Sequence, residues 1–446
     1  MNRDFRFHLR ETTRLAIPVA IGQLGHVMLS VTDSLMVGQL GPVPLAAASL
    51  GNSIFILMLV FAVGMASAIT PLTAIACGQT NHNEAGIVFR QGLLLNSGAG
   101  IFLISISWGL SGFLSVLNQP ADVVRLAIPY LRILSFSFLP MLIFMSSRNF
   151  MEGLSFTRPA MVIIILANAV NVAGNWVLIH GKFGFPALGL DGAAYSSLLV
   201  EVFSAVAIII YVLRSKRFAR YQPILEFRSF NVRVQKRLLR IGVPSALQYV
   251  FEAGSFSVSA IMMGWIGAKA LAAHQIAISL ASISFMIILG ISNAATIRVG
   301  NAVGRRDTRE VRMAGLSAVT LALILMSVAA VCFVLFRNVL PTIYISDPEV
   351  IGIASSLLIY GALFQLSDGT QVVGHGLLRG MTDVTVPMYI AIFSYWVVGL
   401  PSGYLFAFVL DMGPQGVWLG FVFGLTTAAC SFLYRFYRHG NRLSLT

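Results

Sequence analysis

Four carboxylates lie inside long apolar stretches of this sequence: Asp33, Glu201, Glu252 and Asp368. A charged side chain in hydrocarbon costs roughly 2.5–3.5 kcal/mol on insertion scales, so membrane helices keep one mainly where it faces a polar interior. Four such groups in one chain predict a path for ions, protons or cationic solutes through a membrane. The alternative for each residue is a structural polar group that is hydrogen-bonded between helices.

The composition indicates an integral membrane protein. Of the 446 residues, 57% are hydrophobic and 11% are charged, and the mean hydropathy is +0.83, whereas soluble domains are about 25% charged. A helix needs about 20 mostly apolar residues to cross a bilayer. Twelve stretches qualify: residues 14–36, 46–75, 90–115, 125–150, 160–180, 190–213, 237–266, 271–298, 312–337, 349–376, 386–409 and 414–437. These runs are too long and uniform for barrel strands, so we predict an all-α membrane protein.

The net charge of +13 would suit a nucleic-acid partner, but the distribution of the charge indicates a membrane topology instead. Of the 30 Lys and Arg residues, 25 fall on the side of the N terminus. The remaining five are Arg125, Arg132, Lys182, Lys269 and Arg337. Such an excess is typical of cytoplasmic loops. We therefore expect a plasma (bacterial inner) membrane protein with both termini in the cytoplasm and no nucleic-acid partner.

One long polar stretch divides the chain. We predict an N-lobe of six transmembrane helices at residues 1–213, a cytoplasmic linker at residues 214–240 and a C-lobe of six helices at residues 241–446. Because six is an even number of crossings, both lobes start on the same side. Such parallel repeats, related by an axis along the membrane normal, are a common transporter layout with the substrate between the repeats.

The two halves also repeat in sequence. When Pro18 is aligned with Pro244, the helix and loop that follow align without a gap, and we call this separation the repeat offset. Further along, a shorter separation aligns Gly78, Gln79 and Arg90 with Gly300, Asn301 and Arg312, so we expect the register to change there.

The second half carries a polar stripe. Phe364, Asp368, Gln371 and His375 fall at i, i+4, i+7 and i+11, which places them on one face of the tenth helix. Glu252 lies midway along the seventh helix. Two carboxylates that face each other in one lobe can share a proton, bind a monovalent cation or neutralise a cationic drug. The alternative is a set of hydrogen bonds that only fixes helix packing.

In the first half, Asp33 lies in the outer part of the first helix. The fifth and sixth helices offer it polar partners: Asn168, Asn171, Asn175, Ser197 and Glu201. Carboxylate, amide and hydroxyl oxygens are the ligands that hard cations prefer, and a carboxylate also suits a proton. The pattern predicts a cation or proton site, with a possible Na⁺ at Asp33, Asn171 and Asn175.

Two more residues of the first helix are candidates. His26 aligns with Glu252 under the repeat offset and lies two turns before Asp33, so it is a candidate to face the same interior. Pro18 removes one backbone hydrogen bond and favours a kink. We predict a helix bend at Pro18 that couples protonation of Asp33 to helix shape.

No motif for catalysis or nucleotide binding is found. The sequence contains no nucleophile elbow, no HExxH and no P-loop, and no soluble domain in which ATP would bind. We expect no enzymatic activity and no cofactor, with transport energy supplied by a Na⁺ or H⁺ gradient.

Several motifs resemble a known family. The first half contains DSLMVGQLG at residues 33–41, NVAGNW at 171–176 and GKFGFPALG at 181–189, and the second contains Phe-Glu252 and QLSD at 365–368. Their order and spacing resemble the multidrug and toxic compound extrusion (MATE) transporters over the whole chain, and the NorM-like branch most of all. The resemblance implies a V-shaped bundle of two lobes that exports organic cations against entry of sodium or protons.

The resemblance also implies site residues. Those that resemble the family's N-lobe cation site are Asp33, Asn171, Asn175 and Ser197, the last where the family often has Thr. Glu252 and Asp368 resemble its C-lobe site. Phe364 departs from the pattern, because the NorM branch commonly has Tyr there, and its missing hydroxyl argues against sodium in the C-lobe. Glu201 is additional to the pattern and is a candidate to assist the N-lobe site.

The leading hypothesis is a secondary-active multidrug efflux antiporter that acts as a monomer in the lipid bilayer on amphipathic organic cations. The alternative is a flippase for a lipid-linked or other amphipathic substrate, which would need a basic central cavity, whereas the intramembrane charges here are acidic. A channel or a membrane enzyme has less support, because the two-lobed repeat is typical of neither.

Overall fold

Twelve long helices make up most of the structure, a computed structural model that describes residues 3–116, 119–222 and 230–440. They are α1 Arg3–Gly38, α2 Pro42–Gly78, α3 His82–Val116, α4 Ala121–Gly153, α5 Arg158–His180, α6 Leu190–Arg214, α7 Val232–Ile266, α8 Ala268–Gly304, α9 Thr308–Leu335, α10 Pro348–Gly380, α11 Thr385–Val409 and α12 Pro414–Gly440. The described ranges contain no strand. The predicted all-α fold is confirmed, and each predicted stretch corresponds to one helix.

Eleven of the helices in the described ranges are long and apolar enough to cross a membrane. The remaining one, α7, has 35 residues, which is about 52 Å at 1.5 Å per residue. Its first turns are basic, with Arg233, Lys236, Arg237 and Arg240. Since the hydrocarbon core is only about 30 Å thick, α7 can span it and still keep these turns in the polar region. The protein is an integral, multi-pass membrane protein.

The described chain divides into two compact units that differ from the predicted lobes. One unit is residues 21–246, and the other combines residues 1–20 with residues 247–446. The difference arises because α1 and α7 are each one continuous helix whose first part packs in one unit and whose second part packs in the other. Most of the predicted linker therefore packs in the first unit; its residues 223–229 lie outside the described residues.

Packing of the linker residues explains this boundary. Gln235 on α7 donates its Nε2 hydrogen bond to the Gln91 side chain at 3.0 Å, and Arg237 forms an ion pair with Glu84 at 2.8 Å. Both contacts join the start of α7 to α3. The start of α1 behaves in the same way in the other unit, where the buried Arg298 donates to the backbone oxygen of His8 at 2.7 Å.

The internal repeat is visible in how the helices begin. Asn81 caps α3 by accepting a hydrogen bond from the backbone of Glu84 at 3.0 Å, and Asp307 caps α9 by accepting one from Glu310 at 2.9 Å. An acidic or amide N-cap with Glu three residues later satisfies the free N–H groups of a helix start. The two caps are separated along the chain by the repeat offset, as Pro18 is from Pro244.

The predicted change of register after the second helix is wrong. Helix α2 ends at Gly78 and α8 ends at Gly304, so the repeat offset continues through both helices. The similarity of Gly78, Gln79 and Arg90 to Gly300, Asn301 and Arg312 involved a few scattered residues, whereas the helix ends and caps fix the register through backbone hydrogen bonds.

The same interhelical contact also recurs in the two units. Thr70 on α2 donates to the backbone oxygen of Asn149 on α4 at 3.3 Å, and Thr296 on α8 donates to that of Gly376 on α10 at 2.8 Å. A structural equivalence therefore exists between α4 and α10, in which Asn149 corresponds to Gly376, one position beyond the repeat offset.

Candidate cation and proton sites

Four predicted residues of the first half meet in the unit of residues 21–246. Nδ2 of Asn171 donates to Oδ1 of Asp33 at 2.8 Å, and Nδ2 of Asn175 donates to the same oxygen at 2.6 Å. The Ser197 hydroxyl donates to Oδ2 at 3.1 Å. Three helices, α1, α5 and α6, thus hold both oxygens of one carboxyl group through neutral donors.

Small residues let these helices approach. A Cβ atom added to Gly174 on α5 would lie 2.6 Å from the Ser196 hydroxyl on α6, and one added to Gly25 on α1 would lie 2.6 Å from Ile164 on α5. Close approach of backbones through small residues is typical of membrane helices. Asn168, which shares the stripe of Asn171, donates instead to the backbone oxygen of Gly25 at 3.1 Å. It fastens α5 to α1 and does not reach Asp33.

The site around Asp33 is enclosed and has free acceptor capacity. Asn175 is fully buried, yet its Oδ1 has no hydrogen-bond partner. Tyr130 on α4 lies close enough to Asp33 to interact electrostatically, and its hydroxyl donates to Asn52 at 3.3 Å. Sequence reasoning missed Tyr130 and Asn52, because neither residue stands out from the other polar residues of its apolar run.

The other first-half candidates lie apart from Asp33. Glu201 is one turn beyond Ser197 on α6, and its Oε2 is buried without a hydrogen-bond partner. The ring of His26 packs edge-on to Phe144 at 6.2 Å, and its Nε2 is likewise without a partner. In the described residues, neither Oε2 of Glu201 nor Nε2 of His26 is hydrogen-bonded to Asp33.

The second-half carboxylates meet in the other unit. Glu252 on α7 and Asp368 on α10 lie within electrostatic range of each other, and Asp368 is buried. Gln371, one turn further on α10, is buried with its Oε1 unpartnered. The hydroxyl of Tyr395 on α11 lies beside both Glu252 and Gln371 but meets neither in hydrogen-bonding geometry. The group is a pair of acids with unsatisfied neutral oxygens around it.

Tyr395 was missed by the sequence analysis. It lies in Phe393–Gly399, one of two wide π-helical segments of α11. Such segments shift the direction of side chains and are frequent at functional sites. An ordinary helical period cannot predict them.

Phe364 is buried in an aromatic cluster. Its ring centroid lies 5.4 Å from that of Trp418, 6.0 Å from that of Phe421 and 6.3 Å from that of Phe256. The predicted stripe is therefore buried along its length, but at Phe364 it faces aromatic rings and not a carboxylate.

The two carboxyl sites are not copies of one another. Under the repeat offset the residue equivalent to Asp33 is Ser259, which lines a narrow cavity with Gly399, Gly403 and Phe421. None of the residues that line this cavity is charged. The second half therefore lacks a counterpart of the Asp33 site and carries its carboxylates elsewhere.

A buried arginine completes the second-half group. Arg379 on α10 donates to the Tyr249 hydroxyl at 2.9 Å and to Oδ1 of Asn293 at 2.8 Å. A longer bond reaches the Thr296 hydroxyl at 3.3 Å. All these partners are neutral, so none of them forms an ion pair with the guanidinium.

The comparisons with known proteins cover almost the whole chain. A family model described as MatE matches residues 18–177 and 244–405. The chain belongs to the MatE family. Its twelve helices have the fold of a multidrug resistance MATE family transporter of the MOP superfamily solved in an outward-facing conformation, with a TM-score of 0.89 at 23% identity, covering 98% of this chain and 97% of that one.

Two relatives are similar in sequence to this MatE protein. A Rhizobium meliloti protein described as a probable multidrug resistance protein NorM is 35% identical and covers 98% of this chain and 95% of its own length. The multidrug resistance protein MdtK of Yersinia pseudotuberculosis is also 35% identical, with 96% and 94% covered. The two matched segments of the MatE model begin at Pro18 and Pro244, the prolines that the internal repeat aligns.

The candidate sites of the MatE protein offer carboxylate, amide and hydroxyl oxygens, which are hard ligands. The described residues contain no group of three or more His, Cys, Asp or Glu side chains placed to hold a metal ion. Asp33 with two amides and a hydroxyl can take a proton or an alkali cation. Glu252 and Asp368 can share a proton, and either site can neutralise an organic cation.

Proposed function

We propose that this MATE protein is a secondary-active multidrug antiporter, which exports amphipathic organic cations in exchange for Na⁺ or H⁺. The observation that carries the proposal is the half-buried carboxyl group of Asp33, held by three neutral hydrogen-bond donors. A carboxylate enclosed without a basic partner can exchange its proton or cation for another cation. The names of the relatives as multidrug resistance proteins support the substrate class.

The geometry at Asp33 suggests how the site alternates. Both amides now present Nδ2 to Oδ1, which stabilises the carboxylate without a cation. A half-turn of the amide of Asn171 or Asn175 would bring its own Oδ1 toward the same space, where oxygen is the preferred ligand of a hard cation. A proton on Oδ2 would instead displace the hydrogen bond from Ser197. The two coupling ions thus require different arrangements of the same three side chains.

The C-lobe group favours a proton over sodium. The ring of Phe364 supplies no oxygen, and the oxygens next to Glu252 and Asp368 come from Gln371 and Tyr395. Two acids in electrostatic range of each other share a proton readily, because the first proton relieves the repulsion between them.

Coupling follows from competition. When H⁺ or Na⁺ binds at Asp33 or at the Glu252–Asp368 pair, the site no longer attracts an organic cation. By linkage, the organic cation must weaken ion binding by the same factor. We further propose that both termini lie in the cytoplasm, that the membrane is the plasma membrane, and that a monomer suffices.

The test is efflux of a fluorescent organic cation from proteoliposomes of known orientation. One set is driven by an imposed sodium gradient and a parallel set by an imposed pH gradient. Efflux with sodium alone makes Asp33, Asn171 and Asn175 the sodium site, and efflux with the pH gradient alone makes the carboxylates proton carriers.

A variant that lacks all three carboxylates can refute the antiport proposal. The triple variant Asp33→Asn, Glu252→Gln, Asp368→Asn should lose efflux under both gradients, and retained efflux would refute the proposal. The matched control is Asp411→Asn, an exposed aspartate outside both sites. If the wild-type protein shows no dye efflux under the sodium gradient and none under the pH gradient, the result would instead favour a flippase.

A further inference from the structure

A polar seam runs between α7 and α10. It is formed by Tyr249 and Glu252 on α7 and by Asp368, Gln371, His375 and Arg379 on α10. The two helices face each other along the seam, because Arg379 bonds to Tyr249 at one end and Glu252 lies in electrostatic range of Asp368 at the other. The α10 residues succeed one another at three or four positions, which is about one helical turn. The seam therefore connects the carboxyl pair to the end of α10.

His375 is the one titratable ring on the α10 side of the seam. Its side chain is only 4% exposed, and within the described part of the chain neither Nδ1 nor Nε2 has a hydrogen-bond partner. Its ring centroid lies 5.8 Å from that of Tyr249 on α7 and 6.2 Å from that of Phe432 on α12. Arg379 lies one turn away on the same helix and acts on it electrostatically.

The unpartnered ring is unusual for a structural histidine. Buried polar groups are almost always hydrogen-bonded to protein or to water. His274 in the same unit shows the ordinary case, because its Nδ1 accepts a hydrogen bond from Nε1 of Trp418 at 3.2 Å. In the described residues, both nitrogens of His375 and the Oε1 of Gln371, one turn earlier on α10, thus have unused hydrogen-bonding capacity.

The first half has a closed arrangement at the equivalent positions. The equivalence of Asn149 and Gly376 places Arg148 on His375 and Glu152 on Arg379. Arg148 and Glu152 form a buried ion pair at 3.3 Å. In the first half, Glu152 thus neutralises the charge of Arg148. In the second half, the partners of Arg379 among the described residues are neutral, and His375 stands where the first half has Arg148.

We propose that His375 relays protons between the Glu252–Asp368 pair and the end of α10 that carries Arg379. A neutral imidazole accepts a proton at one nitrogen and releases one from the other, so the ring returns to its starting charge after each transfer. The seven residues from Asp368 to His375 span about 10 Å along the helix, so water held at Gln371 bridges the gap.

The surroundings of His375 suit a carrier that does not keep its proton. The titratable or charged groups that face it are Tyr249 and, further along the seam, Glu252 on α7, with Asp368 and Arg379 on its own helix; α12 presents Phe432. The fixed cation of Arg379 repels a second positive charge on the ring. The ring therefore releases each proton it accepts instead of keeping it. This proposed relay rests on the antiport function proposed above.

The experiment compares wild-type protein, His375→Gln and the control His274→Gln in proteoliposomes under a pH gradient and, separately, under a sodium gradient. His375→Gln should slow efflux driven by the pH gradient at least about tenfold, in line with the loss of a positioned proton carrier. The KM for the dye and any sodium-driven efflux should stay within about twofold. His274→Gln should leave the dependence of efflux on pH unchanged.

A second variant separates a relay from a structural role. His375→Ala opens space at the ring position, and added imidazole should restore part of the proton-driven efflux, whereas it cannot repair a packing defect. Correct folding of each variant is checked by dye binding and a monodisperse elution profile.

The outcomes distinguish the relay from the antiport itself. Unchanged proton-driven efflux in His375→Gln overturns the relay. So does an equal loss under both gradients that imidazole does not restore. If the wild-type protein responds to sodium but not to pH, the relay is overturned while antiport stands; efflux under neither gradient removes the antiport proposal.

Discussion

Hydrogen bonds from neighbouring helices explain why a carboxylate can occur at Asp33 in a membrane helix. Its carboxyl group tolerates enclosure because Asn171, Asn175 and Ser197 share its charge through hydrogen bonds from two other helices. Hydrogen bonds to a charged group contribute about 1.5–3 kcal/mol each, more than those between neutral groups. Glu201, which lacks such a set in the described residues, has no comparable support for a coupling role.

We expect Asp33→Asn to weaken ion binding at the N-lobe site while the protein still folds. Removing the charge removes the attraction for the coupling ion, and a loss of about 1.5–3 kcal/mol corresponds to roughly 10- to 150-fold weaker binding. The measurement is dye efflux as a function of sodium concentration and pH. Asp411→Asn is the control, and an unchanged ion dependence in Asp33→Asn would exclude this aspartate from coupling.

At the scale of helices, the contact between α8 and α10 determines where the seam lies. Thr296 on α8 bonds to the backbone of Gly376 and also to the Arg379 guanidinium. Gly380 lets the end of α10 touch α8, because an added Cβ would lie 2.8 Å from the backbone oxygen of Thr296. This close approach positions Arg379 and hence the end of the proposed proton path.

Gly380→Ala should therefore destabilise the protein. Overpacking of a tight contact typically costs about 1–3 kcal/mol. Thermal unfolding in detergent should show a lower Tm, together with slower efflux. The control on the same helix is Gly352→Ala, where an added Cβ meets nothing within 4 Å and alanine should stabilise the helix by about 0.5–1 kcal/mol. Equal Tm changes in the two variants would contradict the proposed contact.

At the scale of the whole molecule, α1 and α7 each contribute to both compact units. Pro18 lies two residues before the point where α1 leaves one unit, and Pro244 lies two residues before the same point in α7. A proline inside a helix removes one backbone hydrogen bond. Because both prolines lie at equivalent positions, we propose that each helix bends at its proline.

For Pro18→Ala we expect slower transport with unchanged dye affinity. The restored backbone hydrogen bond would favour the straight helix by about 1 kcal/mol, which is roughly fivefold in the ratio of conformers. Efflux rates and dye binding measured on the same preparation provide the check. Pro42→Ala at the start of α2 is the control, because the first helical turn needs no such bond. An unchanged transport rate in Pro18→Ala would contradict the coupling of the bend to transport.

The charge asymmetry predicts the orientation of the protein. Lys216 and Lys182 lie on opposite sides in the predicted topology, outside the helices that cross the membrane. In a background without Cys77, Cys332 and Cys430, we expect Lys216→Cys to react with an impermeant thiol reagent only in inside-out vesicles. Lys182→Cys should react only in right-side-out cells, and the reverse pattern would overturn the assignment of the cytoplasmic side.

The candidate sites show which site residues the helical spacing alone can predict. The residues Asn171 and Asn175 lie one turn apart, so their shared face followed from the helical period alone. Tyr395 and Tyr130 were missed, because a period says nothing about which helices become neighbours or where a helix widens by one residue. Phe364 illustrates the converse, since its place on the stripe was foreseen but the aromatic rings around it were not.

The membrane class, the twelve helices, their repeat and the family could all be predicted before the structure was known, because each depends on local quantities: hydropathy over about 20 residues, turn residues and motif order. The packing of the helices was needed to show that α1 and α7 belong to both units and that Tyr395 lies beside Glu252. It was also needed to show that the hydrogen-bond partners of Arg379 among the described residues are all neutral. These properties depend on which side chains meet across helices far apart in the chain, and the helical period of one segment contains no information on them.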